Sequence, residues 1–146
     1  DTVGLPALLS TGWCSVCKGV DHVVIAVKDL DAAVGRYEAI YGTIVSDRSE
    51  AAAAGMAMAF FRFGDSYLEL VSNLGDQGPI AKRLNEMGEG VHLIAMKVDD
   101  IQATLADLRE KGIRLVGDPG AGNPVKGQVF IHPSVTGGVL TQIVER

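Results

Sequence analysis

Aromatic residues make up only 5% of this chain, and cysteine occurs twice in 146 residues. Lys and Arg nowhere form a run of four, and the net charge is −5 with a pI near 5.1. The electrostatic footprint that nucleic acid demands is therefore absent. No apolar stretch approaches the roughly 18 residues of a membrane span. Two cysteines cannot build a disulfide framework, so a cytoplasmic, reducing location is expected. Cys14 and Cys17 form a C-x-x-C, but no second Cys/His pair follows at zinc spacing and no strand-to-helix context surrounds them. They read as ordinary thiols in an N-terminal arm, residues 1–19. That arm has no basic stretch ahead of its short apolar run, which speaks against a signal peptide.

Hydrophobic residues are plentiful, at 47%, and the 18 glycines fall mostly in turns. The main feature is an internal repeat. Val23–Gly42 and Ile94–Gly112 each read as a short strand, an acidic turn, an amphipathic helix and a closing glycine. Val27 matches Val98, Asp29 matches Asp100, Leu30 matches Ile101 and Ala32 matches Ala103, all at an offset of 71. Asp29 to Asp31 and Asp100 are suitable helix N-caps. Ala33, Tyr37, Ile40 and Tyr41 define one expected core face, and Ile101, Leu105 and Leu108 the other. After each helix three strands are expected: 42–47, 56–63 and 67–72, then 113–116, 128–132 and 139–144. Gly64-Asp65 and Gly137-Gly138 mark turns, and Pro79 opens a short helix over 80–87.

The order is β-α-β-β-β twice, an α+β class of two tandem βαβββ modules forming a curved mixed sheet around one cavity. Each module alone leaves a sheet face unburied, so the two must share a core. The expected organisation is a single domain over 20–146, with a first half at 20–77, a connecting helix at 78–90 and a second half at 91–146.

Several motifs stand in order along the chain: DHVVIAVKDLDAA at 21–33, LEL at 68–70, GPIAKRL at 78–84, GEGVHLIAMKVDDI at 88–101, KGIRLV at 111–116 and IHPSVTGGVLTQIVE at 131–145. This arrangement resembles the vicinal oxygen chelate superfamily of glyoxalases, bleomycin-resistance proteins and extradiol dioxygenases, and most of all its methylmalonyl-CoA epimerases. The resemblance covers about residues 20–146. It implies a divalent metal held by two positions in each half. In the first half these are His22 and Glu69, an imidazole and a carboxylate suited to such a cation. In the second half they fall on Leu93, which cannot ligate, and Gln142, whose amide oxygen can. The implied metal set is thus His22, Glu69 and Gln142, with Glu69 as the catalytic base. His92, one residue from the repeat position, is expected to face away from the cavity, because a strand alternates faces.

The epimerases also place a second acid across the site. The run Ala51–Ala54 and the strand from Met56 hold none, and the nearest is Glu50. Met56, Met58, Phe60 and Leu93 are expected to line an adaptable apolar cavity. Glu145 reads as a solvated strand-end charge, His132-Pro133 as a turn, and 117–122 as a flexible lip of the cavity. Two functions fit. One is an epimerase-like isomerase or lyase with an altered metal site, moving a proton on a small acyl or carbonyl substrate. The alternative is a bleomycin-resistance type of protein that sequesters a small molecule without turnover. In both the partner is a small molecule, with neither nucleic acid nor membrane, and the superfamily's habit implies a homodimer.

Overall fold

The computed structural model describes residues 17–146. Each half begins with a strand whose alternate residues are buried on opposite faces. It then turns into a helix capped by an aspartate. In the first half β1 (Cys17–Ala26) leads to α1 (Leu30–Tyr41). Asp29 is its N-cap, and the carboxylate accepts from the Ala32 amide at 3.0 Å. In the second half β5 (Gly90–Val98) leads to α3 (Ile101–Glu110), and Asp100 accepts from the Ala103 amide at the same 3.0 Å. Such caps satisfy donors that the first helical turn leaves unpaired, each worth about 1 kcal/mol. Gly42 closes α1 in the left-handed region, at φ 62°.

The remaining strands are β2 (Asp47–Ala51), β3 (Met56–Phe63), β4 (Ser66–Asn73), β6 (Leu115–Val116), β7 (Val129–Ile131) and β8 (Thr141–Glu145). Between β4 and β5, α2 (Pro79–Met87) carries its proline in the first turn. The eight strands form one sheet in the order β2-β3-β4-β1-β5-β8-β7-β6. β1 runs parallel to β4, and β5 runs parallel to β8. The two halves join where β1 and β5 pair antiparallel, which makes the sheet mixed and curved, as expected.

Three apolar clusters hold it. α1 packs Leu30, Ala33 and Val34 on Phe61 and Leu70 of the convex face. α3 packs Leu105 on Val98, Val129 and Ile143. On the concave face, Ile80 and Leu84 of α2 cover Val24, Ala26, Val71, Leu93 and Ala95.

Several expectations need correction. The first strand after α1 lies at 47–51, not 42–47. Its sequence, DRSEA, has no apolar alternation to reveal it, because it is a largely exposed edge strand paired only with β3. Ile40 and Tyr41 do not belong to the core: they are 63% and 52% exposed, since the last turn of α1 overhangs the sheet. There Tyr41 meets Phe63 edge-on. β1 begins at Cys17, so the boundary expected at 19/20 falls inside a strand. Cys14 lies outside the described residues.

Candidate active site

Alternation along β1 sends His22, Val24 and Ala26 to the concave face, and cross-strand pairing sets what stands beside them. In one row Tyr67, His22, Ala95 and Gln142 sit on neighbouring strands β4, β1, β5 and β8. In the adjacent row on that face, Phe60, Glu69, Val24 and Leu93 sit on β3, β4, β1 and β5. Glu69 faces Val24 as Gln142 faces Ala95, and positions 24 and 95 differ by the repeat offset of 71. Equivalent ends of the two halves therefore bring Glu69 and Gln142 to one place. Ala95 is small, so its neighbours His22 and Gln142 can reach past it. Strands are spaced about 4.8 Å apart, so side chains of this length span the gap.

These groups border a cavity of about 610 Å³, which His22, Glu69, Gln142, Met56, Met58 and Leu93 all line. Tyr67, Val116, Gln128, Phe130 and Arg146 complete much of its wall. Phe60, expected there, does not line it. It packs edge-on against Tyr67 at 5.9 Å between ring centroids and backs the wall instead.

His22 is held from two directions. Its ring stacks on Tyr67 with centroids 4.4 Å apart. Its Nδ1 lies 2.7 Å from Oδ2 of Asp21. Asp21 in turn accepts from Arg146, Nε at 3.1 Å and Nη2 at 3.2 Å. Burial pushes the Asp21 carboxyl up, but the hydrogen bonds from His22 and Arg146 outweigh it and hold the pKa below its ordinary value. An ionised Asp21 makes Nδ1 the donor and leaves Nε2 for the cavity, the way outer carboxylates orient metal-binding imidazoles.

Glu69 differs from Asp21 in kind. Burial alone raises its pKa to about 7, where a carboxylate can exchange a proton near neutral pH. Among the described residues it is the one carboxylate that lines the cavity. Glu50 pairs with Ala57, whose side chain is buried against α1, so it points to the other face. Asp47 shares the row of Phe60 and Glu69 but is exposed at the sheet edge, accepting from the Arg48 amide at 2.8 Å.

His92 is the principal correction. It lines the same cavity as Glu69. Between Val24 and Ile25, β1 advances one residue while β5 passes from Leu93 to Val91, so His92 is the extra residue of a β-bulge. The bulge breaks the alternation that would turn His92 outward. Burial, and then the nearby Arg83 charge, lower its pKa and favour the neutral imidazole. Glycines at 88 and 90, with φ of 75° and 147°, were the sequence signal for irregular backbone here. The partnership of Asp21 with Arg146, 125 residues apart, had no such signal.

Other expected features settle into structural parts. Glu145 is exposed at the end of β8, as expected, and from there it also accepts from the Ile101 amide at 3.0 Å at the start of α3. The 117–122 loop does not line the cavity; Asp118 accepts from Arg109, Nε at 2.8 Å, which ties the loop to α3. His132 turns back to Ser134 at 2.7 Å.

Among the described residues no three His, Cys, Asp or Glu side chains gather as a metal site. A divalent cation here would need Gln142 as its third donor beside His22 and Glu69, since Leu93 offers nothing. With His22 oriented by Asp21, this mixed nitrogen and oxygen set fits a hard cation held with open positions.

Comparison with known proteins adds to this. A family model described as the Glyoxalase/Bleomycin resistance protein/Dioxygenase superfamily matches residues 21–130. The human mitochondrial methylmalonyl-CoA epimerase is 38% identical over 130 residues, which cover 85% of this chain and 72% of that protein. An ethylmalonyl-CoA/methylmalonyl-CoA epimerase of Cereibacter sphaeroides is 34% identical, covering 85% of this chain and 95% of its own. Among solved structures, methylmalonyl-CoA epimerase from Mycobacterium tuberculosis superposes with a TM-score of 0.77 at 33% identity, over 93% of both chains. A variant of the Streptomyces coelicolor enzyme in complex with 2-nitronate-propionyl-CoA gives 0.76 at 36%, over 88% of this chain and 97% of the other.

Proposed function

Because this chain belongs to the glyoxalase/bleomycin resistance/dioxygenase superfamily, we propose that it is an isomerase inverting the α-carbon of a CoA thioester of the methylmalonyl type. The observation that carries the reading is the position of Glu69: a half-buried carboxylate, with its pKa raised to about 7, in a cavity with His22, His92 and Gln142.

An α-hydrogen between a thioester and a carboxylate is acidic enough for a positioned carboxylate to remove. Inversion then needs a proton returned to the opposite face. Glu69 on β4 and His92 on the β5 bulge stand on either side of Val24 of β1. In this reading they flank the carbon, one removing the proton and the other returning it. The site supplies no second carboxylate for that task. Gln142 donates or accepts a hydrogen bond without titrating. A divalent cation on His22, Glu69 and Gln142, when bound, would polarise the thioester carbonyl. One oxygen of Glu69 could ligate while the other takes the proton. Met56, Met58 and Leu93 supply an apolar wall that keeps water from the carbanion.

The test is to supply one epimer of methylmalonyl-CoA and follow the appearance of the other. Conversion by wild type, abolished in boiled protein, is expected. If the compound binds and stays unconverted with or without added Co²⁺, sequestration is the better account. The homodimer and the cytoplasmic setting belong to the same proposal, and sedimentation velocity checks the first.

A further inference from the structure

Beside the reaction cavity lies a cleft of about 560 Å³, and Pro79, His92, Leu93 and Leu140 line both. The two spaces therefore meet at the β5 bulge. Arg83, on α2, lines the cleft. Its guanidinium is poorly satisfied. Nη1 donates only to the Met87 thioether, at 3.1 Å, a weak acceptor. Nε is buried with no hydrogen-bond partner among the described residues. No carboxylate pairs with Arg83 among them either. Beneath it a side chain at Gly90 would place Cβ 3.0 Å from Nη2, so the glycine makes room for the guanidinium. A half-buried cation with idle donors is costly unless something accepts from it. A planar fork of N–H groups matches a carboxylate or a phosphate. Lys82 and Glu86 also line the cleft, yet Arg83 pairs with no carboxylate among the described residues.

We propose that Arg83 binds an oxyanion of the substrate where the reaction cavity opens into the α2 cleft. This rests on the thioester reading above. The oxyanion is either the carboxylate of the acyl group or a phosphate of its carrier, and the two can be told apart. Steady-state kinetics of wild type, Arg83→Met and Arg83→Lys would be measured with methylmalonyl-CoA and with the methylmalonyl thioester of N-acetylcysteamine, which keeps the carboxylate and has no phosphate. Binding of coenzyme A alone would be measured by calorimetry. Arg83→Met should raise KM for methylmalonyl-CoA about 10–100-fold with little change in kcat, and Arg83→Lys should recover part of it. A similar rise with the truncated thioester assigns the carboxylate. A rise with the CoA substrate only, matched by weaker coenzyme A binding, assigns the phosphate. Unchanged KM for both substrates in a folded Arg83→Met protein overturns the proposal. If wild type turns over neither thioester, it is the isomerase reading that has failed. Unchanged coenzyme A affinity in Arg83→Met would then overturn the anion site as well.

Discussion

The first half of the sheet carries His22 on β1 and Glu69 on β4, while the matching places of the second half carry Leu93 on β5 and Gln142 on β8. The scaffolds beneath them have not diverged in the same way. Asp29 and Asp100 cap their helices with equal 3.0 Å hydrogen bonds, and each helix seals its own convex cluster. The comparison teaches that convex packing maintains the duplicated fold, leaving concave residues at liberty to change chemistry. The second half has lost an imidazole at the repeat position, yet its bulge brings His92 into the cavity one residue away.

That comparison can be sharpened by substitution. The largest effect is expected from His92→Gln, which removes the imidazole that the second half brings into the cavity. Inversion of methylmalonyl-CoA should fall by about 10²-fold or more, while deuterium from solvent still enters the epimer whose proton faces Glu69. Undiminished inversion would return His92 to a structural role. Next, Leu93→His restores the symmetrical donor. Affinity for Co²⁺, read from its visible absorption, should rise by more than about tenfold. No change would argue that the halves do not share a metal site.

A smaller effect concerns stability. Glu69 has its folded pKa raised from 4.5 to about 7. Below 4.5 the group is neutral in both states. As pH climbs towards 7 the unfolded chain releases the proton that the folded one retains, and stability is lost. Metal-free Glu69→Gln should therefore exceed wild type by about 1–3 kcal/mol at pH 8, with the gain vanishing near pH 4. Denaturant titrations at the two pH values decide it, and a gain of equal size at both would contradict the burial cause. The smallest effects test the symmetry of the scaffold. Asp29→Ala and Asp100→Ala should each lose about 1 kcal/mol. A neutral result for either would show that one cap is idle.

Much of this was legible beforehand because it rests on local signals. Caps, helix ends and the hairpin at Gly64 follow from residue type, and the repeat announced the shared cavity. What escaped depended on partners far along the chain. β2 is a strand because β3 offers it an edge, not because DRSEA prefers extension. Ile40 and Tyr41 follow the helical period of the core face, yet the sheet ends before it reaches them. His92 was misplaced because alternation holds only where the register is unbroken. Arg146 reaches Asp21 across the whole sequence, a contact that no periodicity encodes.

The most direct measurement follows the C2 proton of each epimer of methylmalonyl-CoA in turn in D₂O by proton NMR, with wild type and Glu69→Gln side by side. Wild type is expected to replace that proton with deuterium as the opposite epimer accumulates, and Glu69→Gln to leave the signal of one epimer intact, the one whose proton faces Glu69, while the other still exchanges through His92. Exchange of both epimers by the Glu69→Gln protein at the wild-type rate would contradict the assignment of Glu69.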